Sequence, residues 1–209
     1  MMPISASKNK DVYVVFLTTN TNMGKLIRFF TRNCYNHVAL AFHSDLREMY
    51  SFARYHVNSP ISGGFVVEYP ERYLKDNKDV TIKVCKVSVS KEEYDRMKEA
   101  IKYFREHRDI MLYNTINAVL SVMNKSLKIK NSFTCIEFVT YLLNIRNVLA
   151  IKDLENMLEA YLIYQGSMKA IAKCNTAAED DYFERRRWSG VIYDTFSHFG
   201  KIILRVAYH

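Results

Sequence analysis

The chain has 209 residues, 49% of them hydrophobic and 25% charged, a balance that supports one sizeable core and excludes a mainly disordered polymer. Six glycines and three prolines exclude a collagen-like or linker-dominated chain, and none of the four cysteines stands in a CxxC pair that would speak for a cysteine-built zinc site. The net charge of +8 points either to an anionic partner or to a basic surface that only aids solubility, and the scattered Lys and Arg favour the second.

Asp11 to Leu17 (DVYVVFL) is short, β-branched and aromatic, which predicts a buried strand closed by a polar turn over Thr18 to Asn22. Met23 to Phe30 sets Leu26, Ile27 and Phe30 on one side of a short helix. His37 to Phe42 and Glu48 to Ala53 are two strands, antiparallel because the Ser44-Asp45 turn between them is short. Phe65 to Glu68 follows a loop with Pro60 and Gly63-Gly64, and Val80 to Val87 alternates as a further strand. Ser90 and Glu93 form a capping box that opens a long helix to about His107. Tyr113 to Met123 predicts a helix, and Thr134 starts another through about Leu143. The chain beyond Ala150 reads as mostly helical, with one strand at Ile202 to Ala207.

Strands first and helices after predict an α+β fold with an antiparallel sheet packed against helices. No repeat or linker divides the chain. One domain over 1–209 is expected, with a core at about 11–145 and a C-terminal helical extension from about 150. No uncharged apolar run approaches the roughly 20 residues that cross a bilayer, and residues 1–10 show no secretory signal. The expected compartment is the cytoplasm, with reduced thiols.

The sharpest local feature is Ser132 to Val139 (SFTCIEFV). Thr134 as N-cap, with Glu137 three residues on, completes a capping box and sets Cys135 at the first helical position. The positive end of a helix favours a thiolate, which is what a cysteine nucleophile needs, and its N–H groups suit an oxyanion. Taken alone, a cysteine there is more often a small buried hydrophobe. His37 opens an apolar strand, and a strand-borne imidazole can be held rigidly as a general base. It too, taken alone, is more often a satisfied core residue.

Four segments follow in a telling order: Thr19-x-Thr21-x-x-Gly24-Lys25-x-Ile27-x-x-x-Thr31, then Tyr35-Asn36-His37-Val38-Ala39-Leu40, then Tyr50-Ser51-Phe52, then Thr134-Cys135-Ile136-Glu137-Phe138-Val139. This order resembles the circularly permuted NlpC/P60 group of papain-like cysteine hydrolases. That group includes YiiX- and YaeF-type proteins and poxvirus homologues, and is distantly related to the lecithin retinol acyltransferases. The likeness covers about Asp11 to Leu143; the segment beyond about Ala150 matches no part of the pattern.

The resemblance implies a permuted papain-like fold and an acyl-cysteine intermediate, with Cys135 as nucleophile, His37 as base and no cofactor. The substrate implied is a small peptide or muropeptide amide, or a lipid ester. The family pattern also has a third polar residue that orients the imidazole, often a glutamate. Its matching place here is Ser51, which carries no charge, so Glu48 and Glu68 stand as alternatives. Glu48 is odd-spaced from Ser51 on one strand, and the two should face opposite sides.

Thr134, Tyr13 and Tyr35 are candidates for the substrate cleft. The C-terminal extension is a candidate lid, with the aromatic-rich run Tyr182 to Trp188 as the place to look. A metal site from His37, His43 and His56 is disfavoured, because their spacings match no ligand pattern. The basic balance mildly favours peripheral contact with an anionic membrane. Nucleic acid is not expected as a partner, since no recognition motif accompanies the charge. The second reading, from a different class, is a non-catalytic binding module that retains the fold, and the uncharged Ser51 is what supports it.

Overall fold

A computed structural model of the chain describes residues 9–19, 33–59, 61–74, 78–120, 125–174 and 181–207. The expected helix at Met23 to Phe30 lies outside the described residues, as do Thr21, Gly24, Lys25, Ile27 and Thr31 of the family-like pattern. The architecture is α+β. Strands β1 (Lys10–Leu17), β2 (His37–Ala41), β3 (Met49–Arg54), β4 (Gly63–Glu68), β5 (Thr81–Val89) and β8 (Leu162–Ser167) form one sheet in the order β4-β3-β2-β1-β5-β8. Every neighbouring pair in it is antiparallel. A second, two-stranded ladder pairs β6 (Leu112–Tyr113) with β7 (Ser132–Phe133) in parallel.

The alternation of β1 explains why it lies at the centre. Val12, Val14 and Phe16 enter one core, Val15 and Leu17 the other, and all five are fully buried. The first core is aromatic and lies under two helices. Helix α2 (Lys91–Glu106) starts at the Ser90–Glu93 capping box and buries Met97, Ile101 and Phe104, spaced one and two turns apart. Helix α4 (Cys135–Leu142) buries Ile136, Phe138, Val139 and Leu142. Phe104 sits 5.3 to 5.9 Å, centroid to centroid, from Phe52, Phe65, Phe133, Phe138 and Tyr141. Ring pairs at such spacings stabilise the core beyond the area each ring buries.

Three expectations require correction. Leu162 to Ser167, placed in a helical extension by the sequence reading, is the sixth strand. Its backbone pairs with β5 from Thr81↔Ser167 to Cys85↔Leu162, so the segment beyond 150 completes the sheet as well as adding helices. Ile202 to Ala207, expected as a strand, is the C-terminal end of α6 (Trp188–Ala207). Val191, His198 and Ile202 recur there at helical spacing and continue one buried face. The helix expected from Tyr113 begins at Thr115, as α3 (Thr115–Leu120), because Leu112 and Tyr113 are held in the ladder with β7.

Two short elements bear on the site. After β4, Pro70 turns the chain into the single helical turn α1 (Glu71–Leu74), with Tyr73 N–H donating to the Pro70 carbonyl at 2.9 Å. That turn brings Tyr73 back to the end of β4. At the other end of β4, Gly63 and Gly64 pass against other chain segments. A Cβ on Gly63 would overlap the Ala53 carbonyl, and one on Gly64 the Met111 carbonyl and the Tyr55 hydroxyl. Helix α5 (Ile151–Met157) follows α4 and carries Glu155 toward Lys83 of β5.

Candidate active site

The thiol is positioned by a helix start of the expected form. Thr134 is the N-cap of α4. Its Oγ1 accepts from Glu137 N–H at 3.2 Å, and Glu137 Oε2 accepts from Thr134 N–H at 2.7 Å. Asn117 also donates to Glu137 from its side-chain amide, so the box is tied to α3. Cys135 is therefore the first residue of α4, and it is buried.

The imidazole is fixed from two directions. Asn36, the residue before His37, accepts from Thr19 N–H at 2.7 Å and donates to the Thr19 carbonyl and hydroxyl at 3.2 and 2.8 Å. These bonds pin the entry of β2 to the chain just past β1, and the register Leu17↔His37 follows. His37 Nε2 lies 3.0 Å from Glu68 Oε1 and 3.1 Å from Oε2. The carboxylate has no proton, so Nε2 carries the hydrogen and donates. Nδ1 is left as the ring's second nitrogen, and the Cys135 side chain is an electrostatic neighbour of the ring.

Glu68 is saturated by this arrangement. Oε1 accepts from His37 and from Ser51 Oγ at 2.9 Å, and Oε2 from His37 and from the Tyr73 hydroxyl at 2.9 Å. Burial by itself would raise the Glu68 carboxyl. The His37 ring, the Arg72 guanidinium and the Ser51 hydroxyl outweigh it and hold the group far below the usual carboxylate range. Burial likewise would lower His37, and the Glu68 charge, with Cys135 adding to it, holds the imidazolium well above the ordinary histidine range. Burial and then the Glu68 charge push the Tyr73 phenol up, so it stays a neutral donor.

Of the three candidates for the ring's orienting partner, Glu68 makes the contact. Ser51 donates to Glu68 instead of bonding the ring. Glu48 accepts from the Tyr50 hydroxyl and pairs with Arg105, away from Ser51. Tyr13 stands opposite Ala41, on the same sheet face as the Leu17↔His37 pair but four residues along β1 from it, and packs against the second core. Tyr35 is buried in the first core with its ring 6.1 Å from Phe16, and does not cover the site. Its phenol is raised by burial and by Glu155, which with Glu159 holds the buried Lys83. His43 Nδ1 lies 2.9 Å from an exposed Arg47 nitrogen. His56 lines a surface cleft with Tyr55, Arg105, Arg108, His198 and Lys201, which Cys135 and His37 do not line. Among the described residues no group of three His, Cys, Asp or Glu side chains is placed to hold a metal ion.

Three neighbours carry no signal in the sequence. Tyr73 and Arg72 reach Glu68 only because Pro70 turns the chain back. Tyr113 lies within electrostatic reach of Cys135, its phenol raised by burial and then by that thiol. Tyr182, which opens the aromatic run, braces the cation beside Glu68. Its backbone carbonyl accepts from Val57 N–H at 2.8 Å, its ring stacks under Arg72 at 3.8 Å, and its hydroxyl accepts from Arg54 at 3.0 Å. Comparison with models of known families, with curated proteins and with solved structures gave no match to this chain.

Proposed function

We propose that the protein is a cysteine hydrolase or acyltransferase that cleaves an amide or ester through an acyl-cysteine intermediate. What supports this reading is the buried His37–Glu68 pair with Cys135 as an electrostatic neighbour: Glu68 engages Nε2, and Nδ1 is the nitrogen that would serve the thiol. In the resting thiolate–imidazolium pair the Cys135 proton already sits on His37 Nδ1, and the Sγ thiolate attacks the carbonyl carbon. First-turn N–H groups of α4 stabilise the oxyanion. The imidazolium then protonates the departing nitrogen or oxygen, and the acyl group stays on sulfur. Water or another acyl acceptor, deprotonated by the same ring, releases it.

The chain order, histidine strands before the cysteine helix, supports a permuted papain-like arrangement of the NlpC/P60 kind. The charged partner at Glu68 favours an enzyme over a binding module, since an imidazolium beside a carboxylate is a costly thing to bury without use. The test is thiol alkylation rate against pH. Cys34 and Cys174 are exposed and are first replaced by alanine; Cys85 is buried and its thiol is pushed up to about 11 by burial. One thiol should react fast well below the ordinary cysteine range of about 8.5, vanish in Cys135→Ala and slow in His37→Ala. A single ordinary profile, unmoved by either change, would defeat the proposal.

A further inference from the structure

Helix α6 carries a second feature that the proposed chemistry does not use. At roughly 100° per residue, Trp188, Ile192, Phe196, Phe199, Ile203 and Val206 fall within one arc of about 80°. All six are exposed, among them Trp188 at 83%, Phe196 at 74% and Ile203 at 61%. Tyr193 and Leu204, also exposed, extend the same side. The acidic and basic residues of the helix, Asp194, Lys201 and Arg205, lie on the other half: Asp194 pairs with Arg186, and Arg205 donates to the carbonyls of Ile110, Lys130 and Asn131. The outer half of a 20-residue helix is thus uncharged along its whole length. A run of large side chains this long is not the scattered exposure that soluble surfaces tolerate.

Basic residues stand at both ends of the stripe. Arg185, Arg186 and Arg187 are exposed immediately before Trp188; Glu184 precedes them, and Arg186 pairs with Asp194. At the far end, Ile129 packs with Ile202, which brings the segment 125–130 alongside α6 and leaves Lys125, Lys128 and Lys130 exposed there. An apolar stripe with Trp and Phe, flanked by cations, is the makeup of a helix that lies in the plane of an anionic bilayer surface. No helix among the described residues is long and apolar enough to cross a membrane, so the contact is peripheral.

We propose that α6 docks the protein on an anionic lipid surface. The same helix touches the site's border, since His198 Nε2 lies 2.8 Å from the Tyr113 carbonyl and Tyr113 is an electrostatic neighbour of Cys135. Joined to the hydrolase proposal, on which this step alone rests, docking selects acyl groups carried by lipids from the substrate classes considered.

Trp188 is the chain's single tryptophan, so its emission reads the stripe directly. The protein is titrated with vesicles of phosphatidylcholine alone and of about three parts phosphatidylcholine to one part phosphatidylglycerol. The anionic vesicles should shift the emission to the blue and sediment the protein, and added salt should weaken both. Phe196→Ser should weaken binding at least about tenfold. Arg185→Glu with Arg187→Glu should weaken it at least about 25-fold, since two attracted charges are lost and two repelled ones added. Both changes are at exposed positions, and circular dichroism checks the fold. Cys135→Ala should bind unchanged, so loss of turnover on a soluble ester leaves the docking result standing. No response to either vesicle would overturn docking, as would a lipid-free emission shift with protein concentration that marks a dimer through this face.

Discussion

Replacing Glu68 by Gln removes the charge and turns one of its two accepting oxygens into an amide donor facing Ser51 or Tyr73. The carboxamide keeps an oxygen that can accept from His37 Nε2, and the side chain keeps its length. Two unit charges 3.0 Å apart at an effective dielectric near 20 attract by about 5 kcal/mol, the gross value before desolvation of both groups is subtracted. What survives desolvation is the upward displacement of the His37 ring, from 6.5 to about 10. Without the carboxylate charge the ring should lose most of that displacement, and the thiolate–imidazolium pair its stabilisation. The expected result is a fall of at least about tenfold in the fast alkylation rate at about pH 6, equal to about 1.4 kcal/mol of ion-pair stabilisation. The assay is second-order alkylation by iodoacetamide in the Cys34→Ala/Cys174→Ala background, across pH, with thermal unfolding as a check that the variant is folded. Superimposable profiles for the parent protein and Glu68→Gln would refute the reasoning, because the ring would then owe nothing to the carboxylate.

Stability should pass through a maximum in mildly acidic solution. Glu68 has a depressed folded-state pKa, about 2 against an ordinary 4.5, so its contribution is complete above about pH 4.5 and disappears as pH falls toward 2. His37 has a raised one, so its contribution is complete below about pH 6.5 and disappears as pH rises toward 10. Thermal unfolding against pH should show both limbs, and His37→Ala should flatten the alkaline one. Thr134→Ala removes the N-cap of α4 and should cost about 1 kcal/mol, a fall of roughly 2–4 °C in Tm by calorimetry, together with slower alkylation of Cys135. Phe104→Ala, at the hub of the aromatic core, should cost about 3–5 kcal/mol in denaturant unfolding. Lys83→Met should leave Glu155 and Glu159 facing each other without their cation, and a loss of stability that disappears in acid would mark the cause.

The parts of the fold legible in the sequence are those written locally. Both capping boxes, at Ser90–Glu93 and Thr134–Glu137, depend on residues three apart and appear where the pattern sets them. The strands between Lys10 and Val89 are short β-branched or aromatic runs, and their identity is readable for that reason. For the partner of His37, the sequence narrows the choice to three residues but not to one. Choosing among Ser51, Glu48 and Glu68 requires knowing that Met49, and not its neighbour, stands opposite Glu68, and that register lies in pairing across a hairpin. Strand β8 is hidden for a similar reason. Leu162 to Ser167 is half-buried or exposed throughout and has no buried face, so only its bonds to β5 make it a strand. Nor does any local pattern say that Tyr73 folds back on Glu68, because that contact is made by the turn at Pro70.

Gly64 is remote from the chemistry, yet both halves of it meet there. Its backbone stands opposite Ala53 in the same β3–β4 register that sets Glu68 opposite Met49. The same spot touches the carbonyl of Met111, whose neighbours Leu112 and Tyr113 pair with Ser132 and Phe133, the two residues that lead into Thr134 and Cys135. One added methyl at position 64 would therefore press on the strand that aims the carboxylate and on the ladder that delivers the thiol. Carboxylate and nucleophile would drift together rather than one at a time, which makes this glycine a hinge pin common to two arms that the chain otherwise builds far apart in its sequence.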